Sequence, residues 1–314
     1  MPLKKGKPPL IAIVGPTGVG KTELALCLGE KLPAEVISAD SRQVYKYMDI
    51  GTAKPSPEEC LKVPHHIIDV VYPDQTFTLA MFLEMAKKAW EKILSRGKIP
   101  LLVGGTGQYV WAFLEGWEVP KVPPSPELRE RLFREAKEKG ADALFRRLLE
   151  LDPEAASFVD PRNIRRVVRA LEVCLATGKP FSQLRLRNPP PFRTLILGLT
   201  LPRPELYKRV DRRIEAMLEK GLVAEVEKLI KMGYSLDLPS MSGVGYKEIG
   251  LYLQGELTLE EAVAHMKKRT RNFIRHQYNW FKLSDPRIRW LEAKGEVCAQ
   301  AFELIQAFLR GEGC

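Results

Sequence analysis

A phosphate-binding motif stands near the start of the chain. Residues 15–22 fit the pattern G-x-x-x-x-G-K-[ST]. The glycines of such a loop let successive backbone N–H groups converge on an anion, while Lys21 adds a positive charge and Thr22 offers a hydroxyl group to Mg²⁺. The motif alone does not indicate which compound carries the phosphate. The residues predicted to hold it are Gly15, Pro16, Thr17, Gly18, Val19, Gly20, Lys21 and Thr22.

Two further polar residues follow predicted strands. Val36–Ala39 is a short apolar strand that precedes Asp40, and Ile99–Val103 is a strand followed by a glycine-rich turn that contains Thr106. In an open parallel sheet, ligands bind outside the carboxyl ends of the strands. Asp40 and Thr106 should therefore lie beside the phosphate loop and form one site with it. A helix N-cap is the alternative role for Asp40, and the two roles are compatible.

The elements that position these residues alternate between strands and helices. Leu10–Val14 predicts a buried strand, residues 23–31 predict a helix whose N-terminus faces the phosphate, and residues 78–96 predict an amphipathic helix. His65–Val71 predicts a third strand. Its paired histidines cannot easily share a metal ion, because neighbouring strand residues point to opposite faces. We expect these histidines to be structural or to contact a substrate.

The predicted fold class is α/β, with a P-loop core whose mostly parallel sheet is flanked by helices, plus an inserted all-helical domain. Proline-rich stretches at 119–126 and 188–191 mark the boundaries. We predict the first part of the core over residues 1–120, a helical insertion over 121–191, and the second part of the core with C-terminal helices over 192–314. Thr194–Leu199 has strand character and should rejoin the first sheet.

The charge distribution favours a polyanionic partner. The net charge is +10, and the predicted insertion holds 15 Lys and Arg against 10 Asp and Glu. A helix predicted after Asp160-Pro161 places four arginines along one side: Arg162, Arg165, Arg166 and Arg169. Ile164, Val168, Leu171 and Leu175 lie on the other side. Because Glu172 is the only acid that follows Asp160 in the insertion, this side suits a phosphate backbone better than pairing with local acids.

Three later segments carry further candidate residues. A predicted helix over 205–220 contains Arg213, and Ser242–Lys247 is a glycine-rich loop with a tyrosine capable of stacking. A predicted helix over 260–283 places cations on a second candidate RNA surface: Lys268, Arg271, Arg275 and Lys282. Its apolar back comprises Phe273, Ile274, Trp280 and Phe281.

Composition excludes several classes of protein. The cysteines are scattered, at Cys27, Cys60, Cys174, Cys298 and Cys314. None forms a C-x-x-C or Cys/His spacing, so we predict neither a zinc site nor a disulfide framework, and we expect a reducing, cytoplasmic setting. The basic stretch Met1–Pro9 lacks a following apolar region of sufficient length, so no secretory signal is predicted. No apolar run approaches the length of a membrane span.

Six motifs occur in order along nearly the whole chain. The first three are Gly15-Pro16-Thr17-x-x-Gly20-Lys21-Thr22, Asp40-Ser41-Arg42-Gln43-Val44-Tyr45 and Gly104-Gly105-Thr106-Gly107-x-Tyr109. The others are Arg166-x-x-Arg169-Ala170-Leu171-Glu172-Val173, Val244-Gly245-Tyr246-Lys247-Glu248, and Thr270-Arg271 to Gln277-x-x-Trp280-Phe281. Together they resemble the bacterial tRNA dimethylallyltransferases, also called tRNA isopentenyltransferases. His276 departs from the family pattern, in which we expect arginine.

The resemblance implies a substrate pair and a set of roles. The phosphate loop would hold the diphosphate of dimethylallyl diphosphate, with Arg213 as a clamp and Mg²⁺ as cofactor. The acceptor would be the exocyclic amine of the adenosine just 3′ of the tRNA anticodon, flipped into a channel while the insertion grips the anticodon stem-loop. Asp40 would take the proton of this amine, and Thr106 would position the substrate or Asp40.

The resemblance also implies which residues contact tRNA, and we expect the protein to act as a monomer. The family positions that touch tRNA are Asp40, Ser41, Arg42, Gln43, Thr106, Arg129, Arg165, Arg166, Val167, Val168, Arg169, Ser242, Gly243, Val244, Gly245, Tyr246 and Lys247.

Two alternatives remain open from the sequence. A small-molecule kinase or another NTP-dependent transferase shares the loop, the Mg²⁺ and the α/β core, but it has no need of the arginine side of the insertion. A non-enzymatic RNA-binding protein switched by nucleotide would show ATP-dependent RNA affinity that survives Asp40→Ala.

Overall fold

The chain divides into two compact units. A computed structural model describes residues 6–120 and 122–312. One unit comprises the residues up to Leu114 together with those from Pro190, and the other is Glu115–Pro189. The second unit thus begins before the predicted boundary at 121 and ends before that at 191. Some predictions fall outside the described residues. They concern Cys314, Lys121 at the predicted start of the insertion, and residues 1–5 of the N-terminal stretch in which no secretory signal is predicted.

The first unit is built on a six-stranded sheet in the order β3-β2-β4-β1-β5-β6. Every pairing between these strands is parallel. The strands are β1 (Pro9–Val14), β2 (Ala34–Ser38), β3 (His65–His66), β4 (Ile99–Gly104), β5 (Arg193–Thr200) and β6 (Ile288–Glu292). The sheet confirms the predicted α/β class and the return of the chain to the first sheet after the insertion.

Helices cover the sheet and make up most of the second unit. In chain order they are α1 (Lys21–Lys31), α2 (Pro57–Lys62), α3 (Leu79–Ser95), α4 (Gly107–Leu114), α5 (Pro126–Lys139), α6 (Ala141–Leu151), α7 (Ile164–Thr177), α8 (Arg203–Glu219), α9 (Leu222–Lys231), α10 (Tyr246–Leu253), α11 (Leu259–Trp280) and α12 (Val297–Arg310). Over residues 6–120 and 122–312, no helix combines the length and the apolar character that crossing a membrane requires.

The central strands are mostly apolar because both of their faces are covered, with Glu35 and Ser38 of β2 as buried polar exceptions. All positions of β1, β2 and β4 are buried. The carboxyl ends of β2 and β4 come very close together, since a Cβ atom added to Gly104 would lie 2.1 Å from the carbonyl oxygen of Ala39. Glycine at the end of β4 therefore brings the Thr106 turn against the Asp40 turn.

The predicted third strand is shorter than the sequence indicates. Only His65–His66 pairs with β2, although His65–Val71 was the predicted strand. Ile67 and Asp69 adopt left-handed backbone angles, with φ of 64° and 54°, which end the strand. The histidines face different partners, because His66 Nε2 binds Glu35 Oε2 at 2.7 Å and His65 Nδ1 lies 2.6 Å from Val63 O.

A disulfide joins Cys27 on α1 to Cys298 on α12, which corrects the prediction drawn from cysteine spacing. The two residues are 271 positions apart, so no local spacing could reveal the pair. Cys60 and Cys174 are free thiols.

The second unit has its own apolar core between α5, α6 and α7. Leu132, Leu144, Leu148 and Leu171 are completely buried there. The two chain ends of the unit are joined, because Glu118 N donates to Leu186 O and Asn188 N donates to Gly116 O, both at 2.8 Å.

Candidate active site

The phosphate loop follows β1 and ends where α1 begins. Gly15, Gly18 and Gly20 all have positive φ angles, of 140°, 76° and 108°. A Cβ atom on Gly15 would lie 2.5 Å from the carbonyl oxygen of Leu199, and one on Gly18 would lie 2.6 Å from Val210 Cγ2. Glycine is therefore required both by the backbone angles and by the close packing of the loop against β5 and α8.

Lys21 points back into the loop. Its Nζ donates to the carbonyl oxygens of Gly15 at 3.0 Å and of Pro16 at 2.8 Å. Burial lowers the pKa of Lys21 to about 8; the nearby Asp40 carboxylate opposes this shift, and the Arg213 guanidinium adds to it. An anion bound in the loop would stabilise the charged form of Lys21 and so raise its pKa again.

Arg213 on α8 brings a second cation to the same cavity. Within the described part of the chain its guanidinium has neither a hydrogen bond nor an ion pair. Burial lowers its pKa, against the influence of the Glu23 and Asp40 carboxylates. A partly buried guanidinium without a partner is a site for an anionic ligand.

Asp40 has one carboxyl oxygen in use. Its Oδ1 accepts hydrogen bonds from Arg42 N at 2.8 Å and Gln43 N at 3.3 Å. These bonds close a turn over residues 41–44 rather than begin a helix, so the helix N-cap role considered from the sequence is wrong. Its Oδ2 makes no hydrogen bond to any described residue. The carboxylate lines the cavity that also contains Lys21 and Arg213, so it remains available to a ligand there.

Thr106 holds the Asp40 turn in place. Its Oγ1 accepts a hydrogen bond from Ser41 N at 3.0 Å, and its backbone N–H donates to Ala39 O at 3.2 Å. Thr106 also lines the cavity. The structure thus brings the three predicted strand-end features to one edge of the sheet.

Gln277 links the phosphate loop to the Thr106 turn. In the sequence it stands out only as part of a family motif, without a predicted role. This buried side chain on α11 accepts from Thr17 N at 2.8 Å and donates to Gly105 O at 3.0 Å. A Cβ on Gly105 would lie 2.3 Å from the Gln277 amide nitrogen. No local pattern reveals such a contact, since the partners lie 260 and 172 residues away.

Arg42 connects the Asp40 turn to the segment around Ser242. Its guanidinium donates to Pro239 O at 2.6 Å, Ser240 O at 3.1 Å and Ser242 Oγ at 3.2 Å. Arg269 on α11 approaches the same segment, donating to Ser242 O at 3.0 Å. Two arginines therefore shape this wall of the cavity by holding backbone oxygens.

The cavity has a volume of about 280 Å³ and is lined by both polar and apolar residues. Thr17, Lys21, Asp40, Thr106 and Arg213 supply the polar groups. The apolar wall comprises Val210, Ile214, Met217, Val244, Met266 and Phe273. Such a cavity suits a ligand that joins an anionic group to a hydrocarbon group.

Some predicted residues take other positions. Tyr246 is the first residue of α10 and is 1% exposed, so it is not a loop tyrosine open for stacking. Lys247 is exposed, and Gln43 is not among the residues that line the cavity; its Nε2 donates to Ala53 O at 3.1 Å. Ser242, Gly243 and Val244 line the cavity as expected for ligand contacts.

The arginine side of the second unit is smaller than predicted. Arg162 precedes α7 and pairs with Asp160, and Arg169 binds the buried Glu172 carboxylate together with Arg129. Burial would raise the pKa of Glu172, but hydrogen bonds from the two arginines and from Ser125 N lower it.

Arg165 and Arg166 remain as the exposed cations on α7. Val167 and Val168 are 1% and 2% exposed in the apolar core, so their side chains cannot reach a nucleic acid. Leu175, predicted on the apolar side, is 41% exposed.

Helix α11 differs from its predicted arrangement at its aromatic residues. Phe273 and Trp280 are 46% and 41% exposed, whereas Ile274 and Phe281 are buried. The buried stripe runs through Ala262, Met266, Ile274 and Gln277, and positions 273 and 280 fall beside it. The helix ends at Trp280, so Lys282 lies beyond it, and Arg271 pairs with Asp211 at 2.5 Å.

The residues present suit Mg²⁺ only together with a phosphate ligand. Groups of three metal-binding His, Cys, Asp or Glu side chains are absent from residues 6–120 and 122–312. Mg²⁺ commonly keeps several waters and is held by one or two protein oxygens plus substrate phosphates. The Thr22 hydroxyl, which has no hydrogen-bond partner among the described residues, fits this pattern.

The chain is similar to proteins of a known family. The chain matches a family model described as IPP transferase over residues 43–284 and one described as isopentenyl transferase over residues 8–70. A tRNA dimethylallyltransferase of Roseiflexus castenholzii is 55% identical over 297 residues, 95% of this chain and 97% of that protein. One of Dehalococcoides mccartyi is 46% identical over 305 residues, 97% of this chain and 94% of that protein.

Solved structures show the same similarity in three dimensions. The tRNA isopentenylpyrophosphate transferase of Bacillus halodurans superimposes with a TM-score of 0.72 at 38% identity, covering 97% of this chain and 98% of that one. A eukaryotic dimethylallyltransferase captured acting on tRNA gives a TM-score of 0.80 at 29% identity, covering 98% of this chain and 80% of that one.

Proposed function

Because the chain belongs to the IPP transferase family, we propose that it transfers a dimethylallyl group from dimethylallyl diphosphate to tRNA. The acceptor is the exocyclic amine of the adenosine 3′-adjacent to the anticodon. One observation carries the proposal: a single cavity joins two cations, Lys21 and Arg213, to the Asp40 carboxylate and to an apolar wall. An allylic diphosphate has the anionic head and the short hydrocarbon tail that such a cavity accommodates.

The cations promote departure of the diphosphate. In the reaction the bond between C1 of the dimethylallyl group and the diphosphate oxygen breaks, and a bond between C1 and the adenine amine nitrogen forms. Lys21, the loop N–H groups and Arg213 stabilise the negative charge that grows on the leaving oxygen. Mg²⁺ held with the help of Thr22 would supply further charge neutralisation at the diphosphate oxygens.

Asp40 serves the acceptor side of the reaction. The adenine amine is a weak nucleophile, and it carries a proton that must leave as the new bond forms. The Asp40 oxygen that makes no hydrogen bond to the described residues takes this proton, while Thr106 and the turn N–H groups hold the carboxylate in place. Asp40, Thr106 and Arg213 are thus the proposed catalytic group.

Two sets of residues are proposed to bind the tRNA. In the first unit they are Asp40, Ser41, Arg42 and Thr106, together with Ser242, Gly243, Val244, Gly245 and Lys247. Gln43 and Tyr246 are left out because their side chains hydrogen-bond within the protein. In the second unit they are Arg129, Arg165, Arg166 and Arg169, and this unit would grip the anticodon stem-loop. The exposed guanidinium groups of Arg165 and Arg166 suit phosphate oxygens best. We further propose that the protein acts as a monomer, in the cytoplasm where its tRNA substrate is found.

Label transfer tests the function. The protein is incubated with dimethylallyl diphosphate labelled in its hydrocarbon group, Mg²⁺ and an unmodified tRNA transcript that carries adenosine 3′ of the anticodon. Label should enter the tRNA without ATP, and it should not enter a matched transcript with guanosine at that position. Absence of label from the tRNA, with ATP consumed on a small acceptor, would instead support a P-loop kinase.

A further inference from the structure

The carboxylate of Glu225 binds three consecutive backbone N–H groups on a segment that lines the cavity. Its Oε2 accepts from Asp49 N at 3.0 Å and from Ile50 N at 2.8 Å, and its Oε1 accepts from Gly51 N at 3.1 Å. Oε1 also accepts from the hydroxyl group of Tyr246 at 2.7 Å. Four donors therefore meet on one side chain of α9, about which the motifs give no indication.

The segment of residues 48–53 needs such an anchor. It forms turns rather than helix or strand, so its N–H groups have no regular backbone partners. Tyr47, just before the segment, and Ala53, at its end, adopt left-handed backbone angles, with φ of 67° and 46°. Each such angle costs on the order of 1–3 kcal/mol and persists only where the surroundings impose it.

Tyr246 completes the anchor. A Cβ atom on Gly51 would lie 2.6 Å from the Tyr246 ring, so the ring and the segment are in direct contact. Burial and the Glu225 carboxylate raise the pKa of Tyr246, which keeps its hydroxyl group protonated and able to donate. Gly51, Thr52 and Tyr246 all line the cavity, so the anchored segment is part of its wall.

The segment is also connected to Asp40. The Gln43 amide donates to Ala53 O at 3.1 Å and to Thr52 O at 3.4 Å. The backbone N–H of Gln43 in turn donates to Asp40 Oδ1 at 3.3 Å. A path of hydrogen bonds therefore runs from Glu225 through residues 49–53 and Gln43 to the catalytic carboxylate.

We propose that Glu225 is a positioning residue for the transfer reaction, which fixes the segment 48–53 and, through Gln43, the orientation of Asp40. This inference rests on the proposed function. The diphosphate is held from other elements, by the phosphate loop and Arg213. Loss of Glu225 therefore slows the chemical step while the diphosphate grip remains.

The test uses Glu225→Gln in the full-length protein. The variant keeps the shape of the side chain but turns one accepting oxygen into a donor that faces N–H groups. We expect kcat for label transfer to fall by about 10- to 100-fold, the range a small misplacement of a catalytic group produces. The affinity for inorganic diphosphate, measured by calorimetry, should stay unchanged. Glu227→Gln is the matched control, because Glu227 lies on the same helix and pairs with Lys231 at the surface.

A double-mutant cycle separates positioning from general destabilisation. Because Glu225 acts through Gln43, adding Glu225→Gln to Gln43→Ala should lower kcat far less than adding it to the wild type. Tyr246→Phe is a milder variant, because it removes one donor to Glu225 and keeps the ring against Gly51. It should also lower kcat, and it can be measured even if Glu225→Gln does not fold.

Three results would overturn the inference but leave the proposed function intact. They are additive losses of kcat in the cycle, loss of diphosphate affinity, and unchanged kcat in the Glu225 and Tyr246 variants. A wild-type protein that transfers no label would overturn the proposed function, and this inference with it.

Discussion

Lys21 and Arg213 are charged side chains in a setting that disfavours charge. Burial lowers the pKa of both, and Arg213 has neither a hydrogen bond nor an ion pair in the described part of the chain. Natural proteins retain partly buried cations of this kind where a ligand supplies the opposite charge. Lys21 and Arg213 are therefore the side chains from which the proposed affinity for a diphosphate follows.

The pKa of Lys21 makes diphosphate binding dependent on pH. Because the free side chain titrates near 8 and an anion favours its charged form, binding above pH 8 requires uptake of a proton. Affinity should therefore fall as pH rises, by roughly tenfold between pH 7 and pH 9 if only the charged form binds. Calorimetric titration with inorganic diphosphate across this range measures the effect.

Lys21→Arg is the control for that titration. Its guanidinium stays charged throughout the range, so its pH profile reports the ionisation of diphosphate alone. Wild-type affinity that follows the same profile as Lys21→Arg would contradict the assigned role of Lys21 protonation.

The residues around these charges differ in how far the sequence predicts them. Asp40, Thr106 and the loop glycines follow apolar strands directly, and the rule that parallel strands present ligands at their carboxyl ends was enough to bring them together. Gln277 and Glu225 come from helices far along the chain, and nothing in their local sequence distinguishes them from other polar helix residues. Tyr246 differs from its prediction because Gly243 and Gly245 indicate a loop, whereas the helix begins immediately after Gly245.

Helix α7 carries two kinds of arginine. Arg165 and Arg166 are exposed, whereas Arg169 is held by Glu172 and by the carbonyl oxygen of Val122. Helical periodicity places Arg165, Arg166 and Arg169 on one side of the helix. It does not show that the buried carboxylate of Glu172 binds the guanidinium groups of Arg169 and Arg129. Arg165 and Arg166 are therefore the arginines of α7 whose guanidinium groups stay open to a ligand, whereas Arg169 also binds the buried acid of the unit.

Replacing Arg165 and Arg166 with alanine should weaken tRNA binding without changing stability. Each lost phosphate contact reduces the slope of log affinity against log salt concentration by about 0.7–0.9. Fluorescence anisotropy at several salt concentrations measures the slope. Arg131→Ala combined with Arg146→Ala, at exposed arginines on α5 and α6, controls for the loss of two positive charges. An unchanged slope in the double variant would exclude α7 from the tRNA interface.

Strand β2 is stabilised by a buried carboxylate at its start. Glu35 is completely buried and binds Lys98 at 2.8 Å, His66 at 2.7 Å and Arg96 at 3.2 Å. Burial would raise the pKa of Glu35, but the three hydrogen bonds lower it to about 2. The folded pKa lies below the unfolded value, so the contribution to stability is complete above pH 4.5 and is lost as pH falls towards 2.

Glu35→Gln should therefore lower the free energy of unfolding by about 3 kcal/mol at pH 7 and by less than half of that at pH 3. Urea denaturation at the two pH values measures the difference. Glu84→Gln, which breaks a surface pair with Lys88, is the matched control and should have little effect. An equal loss for Glu35→Gln at both pH values would show that its carboxylate charge does not stabilise the sheet.

The disulfide connects the two ends of the chain within the first unit. It links the helix that follows the phosphate loop to the last helix, α12. A strand-by-strand interpretation of the sequence cannot predict it, because its partners become neighbours only once β1, β5 and β6 have assembled. The early end of β3 is equally hidden in the sequence. It results from left-handed backbone angles at Ile67 and Asp69, which the apolar pattern of residues 65–71 does not indicate.

Reduction of Cys27–Cys298 should destabilise the folded chain. Closing so long a loop restricts the unfolded state, and disulfides of this kind typically contribute about 2–4 kcal/mol. We expect Cys298→Ser to lower the midpoint of thermal unfolding and to make it insensitive to dithiothreitol, while the wild type responds to the reductant. Cys60→Ser, at a free thiol, should behave as the wild type. A wild-type midpoint unaffected by reductant would show that the disulfide does not stabilise the fold.

Asp40 is the proposed base for the acceptor amine, and Asp40→Asn tests this role directly. Asparagine keeps the oxygen that accepts from Arg42 N and Gln43 N but cannot take the proton of the adenine amine. In single-turnover label transfer to a tRNA transcript at saturating substrates, we expect the rate to fall by about 10²- to 10⁴-fold. The affinity for tRNA should change far less, because asparagine keeps the shape of the side chain. A variant that transfers label at the wild-type rate would contradict the assignment of Asp40 as the base.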